Sequence, residues 1–142
     1  METIKTFRDL GVSEEILQAL EKQGVTSPTK VQEEAIPPLL QWRDVIAKAP
    51  TGTGKTFAFG IPMIEHVDVT CPEVQGLILA PTRELAIQIG DELRGLLTYY
   101  QGIRVAVLYG GAGIVGQAKQ LEKKPQIVVA TPGRLMDHYN RK

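Results

Sequence analysis

Cysteine is almost missing: Cys71 is the single one in 142 residues. One thiol excludes an internal disulfide framework and any cysteine-based metal site, and it fits a reducing, cytoplasmic setting. Charge of one sign is missing too, since 16 basic side chains face 16 acidic ones. No global positive field gathers a polyanion, so any nucleic-acid contact must be local. No run approaches the roughly 18 apolar residues of a membrane span. Residues 1–10 mix Glu2, Lys5, Arg8 and Asp9 among the apolar ones, which excludes the apolar centre of a signal peptide. His66 and His138 lack metal-ligand spacing and read as surface or boundary residues. There is no internal repeat, low-complexity segment or linker. With 43% apolar and 23% charged residues, the chain has the composition of one soluble domain that buries about two-thirds of its unfolded surface.

What is there centres on Ala49-Pro50-Thr51-Gly52-Thr53-Gly54-Lys55-Thr56. The apolar run Asp44-Val45-Ile46-Ala47 before it reads as a buried strand, and Phe57 to Ile64 after it as a helix. Strand, glycine loop and helix in that order suit a phosphate, which needs inward backbone N–H groups, a helix N-terminus and no Cβ at the tight bends. Gly52 and Gly54 meet the last need. Lys55 reaches the outer phosphates as a point charge, and the hydroxyl of Thr56 ligates a bridging Mg²⁺. Ala49 stands where the usual pattern has glycine. Even with that allowance, chance yields such a match on the order of once in a hundred chains of this length.

Upstream, Ser13 with Glu14 and Glu15 is expected to cap a helix through Ile16, Leu17 and Leu20, with Gly24 as its left-handed terminus. Pro28 and Thr29 open a second helix through Val31, Ala35 and Ile36, which Pro37-Pro38 should disturb or end. Trp42 and Leu40 are expected to close the core. Downstream, apolar runs at 76–80, 104–109 and 127–130 alternate with helical patterns at 82–100 and 115–121. Four β-rich runs separated by helices argue for a parallel sheet covered on both faces, with ligands at the carboxyl ends of the strands.

Those ends carry chemistry. Pro81-Thr82-Arg83-Glu84 and Thr131-Pro132-Gly133-Arg134 each place a hydroxyl and a guanidinium at a helix start, as a sugar-phosphate backbone requires. Gly110-Gly111 permits close approach of a ligand. Each turn alone is satisfied by a helix cap with the arginine solvated or paired to a nearby carboxylate. Three beside a phosphate loop favour a nucleic-acid rim.

The chain resembles the first RecA-like domain of the DEAD-box ATP-dependent RNA helicases. Phe7 followed by Gly24 to Gln32 resembles their Q motif, Ala49 to Thr56 their motif I, Pro81 to Ala86 motif Ia, Gly110-Gly111 the GG element, and Thr131 to Arg134 motif Ib. The resemblance implies an α/β, RecA-like P-loop fold over 1–142, with a Q-motif segment at 7–32 and a P-loop core at 44–142. It implies ATP and Mg²⁺ as cofactors, Phe7 and Gln32 at the adenine, residues 49–56 at the phosphates, and Lys55 and Thr56 in catalysis. It implies RNA on the three turns and a second RecA-like domain as partner. Val25 replaces the family's usual aromatic, and Pro50 removes one phosphate donor. Lys30, where proline is usual, reads as a solvated charge. The family's Asp-Glu-Ala-Asp strand does not occur in this sequence. The fold is therefore expected to be incomplete at its C-terminal end, part of a longer polypeptide and inactive by itself. A non-catalytic nucleotide- or RNA-binding fragment is the alternative. A small-molecule kinase shares the loop but lacks the Thr/Arg turns and the Phe7 to Gln32 spacing; a related DNA helicase generally lacks that spacing too.

Overall fold

Ile16, Ala19 and Leu20 recur at helical spacing, and the chain buries all three on one face of α1 (Glu14–Lys22). Glu14 and Glu15 lie in its first turn and Lys22 in its last, each sign complementing the helix dipole. Gly24 follows at φ 77°, the left-handed residue expected after a helix. The computed structural model from which these elements come describes residues 6–50, 52, 54–110 and 114–141. Thr51, Thr53 and Gly111, three of the expected site residues, lie outside the described residues.

The chain divides into two units, Met1–His66 with Gly95–Tyr100, and Val67–Arg94 with Gln101–Lys142. The first is helical. A 3-10 turn (Arg8–Leu10), α1, α2 (Lys30–Leu40) and α3 (Lys55–Glu65) bury Phe7, Leu10, Ile36, Ile61 and Ile64. Two expectations are corrected here. Pro37 and Pro38 neither end nor displace α2, which continues to Leu40. Each proline forfeits only its own N–H, and Gln41 still donates to the carbonyls of both. Ser13 stands at the N-cap of α1 but caps nothing with its side chain. Its hydroxyl instead meets the Glu65 carboxylate and, at 2.8 Å, the Tyr100 hydroxyl.

A third correction concerns residues 44–47, which form no strand. Val45 is half-buried, while Ile46 and Ala47 are exposed. A four-residue apolar run becomes a strand only when a neighbouring strand takes its N–H and C=O groups. The four β-rich runs thus yield three strands among the described residues. Trp42 departs from expectation as well: it does not close the core but is 76% exposed. It adopts φ 64° and stacks on the His66 ring, with centroids 3.6 Å apart.

The second unit holds the sheet. Strands β1 (Gly76–Leu79), β2 (Val105–Leu108) and β3 (Ile127–Ala130) are all parallel, in the order β1-β3-β2. Ala106, Leu108, Val128 and Ala130 form one face, against which Leu121 of α5 (Ile114–Glu122) and Leu135 of α6 (Pro132–Arg141) pack. The opposite face presents Val107 to α4 (Arg83–Leu96), where a Cβ on Gly90 would lie 2.5 Å from the Val107 side chain. Helices therefore lie on both faces, as the alternation of patterns predicts, although Leu77 and Leu79 of β1 stay exposed on the first. At the amino ends of the strands, buried Gln126 accepts from Arg104 N–H at 2.8 Å and donates to the Gly102 carbonyl at 2.7 Å. One side-chain amide thus ties the loop at 102–104 to the start of β3.

Candidate functional site

In the loop expected to hold phosphates, Gly52 has φ 85° and Gly54 φ 81°, a region where a Cβ is strained. Gly54 is the N-cap of α3, and no side chain caps it. The first N–H groups of a helix have no intrahelical acceptor, so this start is disposed toward an anion. Lys55 is exposed at the first position of α3, with Thr56 half-buried behind it. Ala49 and Pro50 lie on a cleft of about 740 Å³, together with Gly52, Lys48 and the first turns of α2.

Gln32 is 2% exposed and ties this loop to α2. Its Oε1 accepts from Thr29 N–H at 2.9 Å, while the Thr29 hydroxyl accepts from Gln32 N–H at 3.4 Å, a reciprocal capping box. Its Nε2 donates to the Gly54 carbonyl at 3.1 Å. Phe7 is placed elsewhere: it is buried and lines a separate cavity of about 490 Å³ with Val25 and Thr26. The structure brings Gln32 to the loop and Phe7 to Val25.

In the second unit the register does the positioning. Leu79 pairs with Ala130 and Leu108 with the same Ala130, so the three strands end level. At the usual spacing of about 4.8 Å per strand, the three turns leave the sheet within roughly 10 Å of one another. After β1, Pro81, Thr82, Arg83 and Glu84 are all exposed. Thr82 caps α4 by accepting from Leu85 N–H at 3.2 Å, and Arg83 meets Glu84 at 3.5 Å on the surface. After β2, a Cβ on Gly110 would meet nothing within 4 Å. After β3, Thr131 N–H continues the ladder to the Leu108 carbonyl at 2.9 Å, and Pro132 opens α6. Gly133 likewise has open space around it.

Arg134 is the exception at this edge. Its side chain is 14% exposed and folds inward to Asp137 at 3.6 Å and to Gln117 at 3.3 Å. The third turn thus offers backbone and hydroxyl groups more than a free cation. Gln117 went unnoticed in the motif reading, although a glutamine four residues before Leu121 occupies the inward face of α5. His138, expected at the surface or a boundary, is buried and lies 3.4 Å from the same Gln117 oxygen. Among the described residues no group of three or more His, Cys, Asp or Glu is arranged to hold a metal. No helix among them is long and apolar enough to cross a membrane.

A parallel sheet with a level carboxyl edge and helices on its two faces is the α/β architecture of the RecA-like class. The family model "DEAD/DEAH box helicase" matches residues 29–142, and the chain belongs to that family. It is 49% identical over 137 residues to the DEAD-box ATP-dependent RNA helicase CshA of Bacillus cereus, covering 96% of this chain and 26% of that protein. It is 51% identical over 135 residues to the ATP-dependent RNA helicase CshA of Limosilactobacillus reuteri, covering 95% and 27%. A DEAD box protein from the hyperthermophile Methanococcus jannaschii superimposes with a TM-score of 0.89 at 42% identity, covering 99% of this chain and 38% of that one. The chain spans about a quarter of the length of the curated relatives it matches.

Proposed function

We propose that residues 1–142 are the N-terminal RecA-like domain of an ATP-dependent RNA helicase and bind both ATP and the RNA backbone. The observation that carries this reading is the level ending of the three strands, which puts the turns at 81–84, 110 and 131–134 on one edge. Such an edge offers N–H donors, short hydroxyls and Arg83 to phosphates and ribose, contacts that carry no base information. RNA binding should then be independent of sequence and weaken with salt.

Residues 49–56 take the phosphates, Lys55 supplying charge and the start of α3 supplying N–H groups. Thr56, in the first turn of α3, is the residue that would hold Mg²⁺, an ion that keeps several waters and needs few protein ligands. Gln32 suits the adenine edge. After its bonds to Thr29 and Gly54 it retains one N–H and one lone pair, the donor-acceptor pair that adenine N7 and N6 require. Phe7 and Val25 contribute apolar lining. A second RecA-like domain in the same polypeptide would complete the machinery for hydrolysis.

Lys55→Ala should abolish nucleotide-dependent RNA binding in a polypeptide carrying both domains; unwinding at the wild-type rate would show the loop assignment to be wrong. A non-catalytic binding fragment is the second reading, favoured by the unformed strand at 44–47 directly before the loop. Steady-state ATPase turnover of the 142-residue chain under saturating RNA separates the two, since a bare binding module shows none.

A further inference from the structure

We propose that Gln117 is a positioning residue for RNA, a staple that holds the turn after β2 and the turn after β3 in one arrangement. The proposal rests on the assignment of those turns to the RNA backbone. Gln117 is 3% exposed, and nothing in the five family motifs includes it. Its Nε2 donates to the Tyr109 carbonyl at 2.8 Å, the last peptide before Gly110. Its Oε1 accepts from Arg134 Nη1 at 3.3 Å, and His138 Nε2 lies 3.4 Å from the same oxygen. One buried amide thus spans from the exit of β2 to the first and second turns of α6.

The amide has only one workable orientation. Rotated by half a turn, Nε2 would face the Arg134 guanidinium, donor against donor, and Oε1 would face the Tyr109 carbonyl, acceptor against acceptor. A buried polar group that loses its partner is penalised more than a made hydrogen bond gains, so the two links stand or fall together. Arg134, held by Gln117 and Asp137, then serves to fix the Thr131-Pro132-Gly133 backbone. A backbone presented in fixed geometry binds a phosphate without first being ordered.

The test is RNA affinity across a salt series, with affinity for a non-hydrolysable ATP analogue as the second readout, in a polypeptide carrying both RecA-like domains. Gln117→Leu should weaken RNA binding about tenfold and lower the slope of log affinity against log salt by about one phosphate. Its ATP-analogue affinity should not change. A folded Gln117→Leu protein with wild-type RNA affinity and slope overturns the proposal, as does an equal loss of ATP-analogue affinity, which would mark a merely structural role. Should Gln117→Leu fail to fold, Gln117→Glu keeps the acceptor for Arg134 and replaces the donor to Tyr109 by a charged acceptor that faces the carbonyl. A several-fold loss of RNA affinity in that variant supports the staple, and wild-type affinity overturns it. Arg83→Ala, which shares none of these bonds, tests the edge without touching the staple. If Arg83→Ala weakens RNA binding and Gln117→Leu does not, the staple alone is wrong; if neither does, the RNA assignment of the edge is wrong.

Discussion

Gln32 Nε2 donates to the carbonyl of Gly54 across 3.1 Å, joining the first turn of α2 to the residue that starts α3. The bond makes one buried amide part of both the segment proposed to read the base and the loop proposed to hold the phosphates. Gln32→Ala should therefore act twice. Loss of the capping box costs about 1 kcal/mol, a fall of several degrees in Tm, and adenine nucleotides should lose their advantage over guanine nucleotides. Calorimetric titration with both nucleotides checks the second effect; unchanged discrimination would remove Gln32 from the adenine site.

Gly52 and Gly54 share a left-handed φ but differ in what surrounds them. A Cβ on Gly54 would lie 2.2 Å from Gln32 Nε2, whereas one on Gly52 meets nothing within 4 Å. Gly52→Ala should cost about 1 kcal/mol, from conformation alone. Gly54→Ala should cost more, roughly 2–3 kcal/mol, because the buried amide must also give way. Paired denaturant titrations would show the order, and equal losses would mean that the amide yields freely.

Arg83 and Arg134 should behave differently when truncated. Arg83 is exposed with only a surface partner, so Arg83→Ala should leave stability within about 0.5 kcal/mol while weakening RNA binding. Arg134→Ala strips a charged donor from the Gln117 oxygen and should cost about 1–2 kcal/mol. Thermal melts of both variants, run beside filter-binding assays, resolve the two effects.

Tyr100 supplies a pH test. Burial, reinforced by the nearby Glu65 and Glu15 carboxylates, raises its phenol above the ordinary value, against an opposing hydrogen bond from Ser13. A raised acid favours its protonated form in the folded state. Its contribution is intact below the unfolded pKa of about 10 and is lost as pH climbs through the raised value. Tyr100→Phe should cost about 1 kcal/mol at neutral pH and should flatten the alkaline decline of stability. Urea midpoints from pH 8 to 11 would detect this; parallel curves for the two proteins would contradict it.

Trp42 combines a left-handed backbone with a stacked ring, two effects of opposite sign. Trp42→Gly removes strain worth about 1 kcal/mol and a contact worth about as much, so its Tm should stay within a few degrees. Trp42→Val loses the contact and worsens the strain, since a β-branched residue tolerates φ above zero poorly. Melting curves of the pair should differ by roughly 2 kcal/mol.

The parts of this fold that were legible in the sequence are those governed by neighbours along the chain. The spacing of Ile89 and Leu93 announced α4, and Gly24, Gly52 and Gly54 fell in left-handed geometry where turns needed it. Features that depend on a distant partner were not legible. Residues 44–47 had strand composition, but a strand is a property of a pair. Ser13 had a capping residue's chemistry, yet Glu65, far along the chain, took its hydroxyl. The bond from Arg134 to Gln117 was not legible because Gln117 lies in another helix. The turn glycines before α3 were readable from adjacent residues, whereas the inward set of Arg134 was not.

The pairing of Leu79 and Leu108 with the same Ala130 makes the sheet a ruler. Lengthening any one strand by a single residue would advance its turn by about 3.3 Å and swing every following side chain to the opposite face. Insertions in the helices or at the amino ends would leave the gauge unaltered. Tolerance to length change should thus be sharply one-sided, permissive before each strand and close to zero within it.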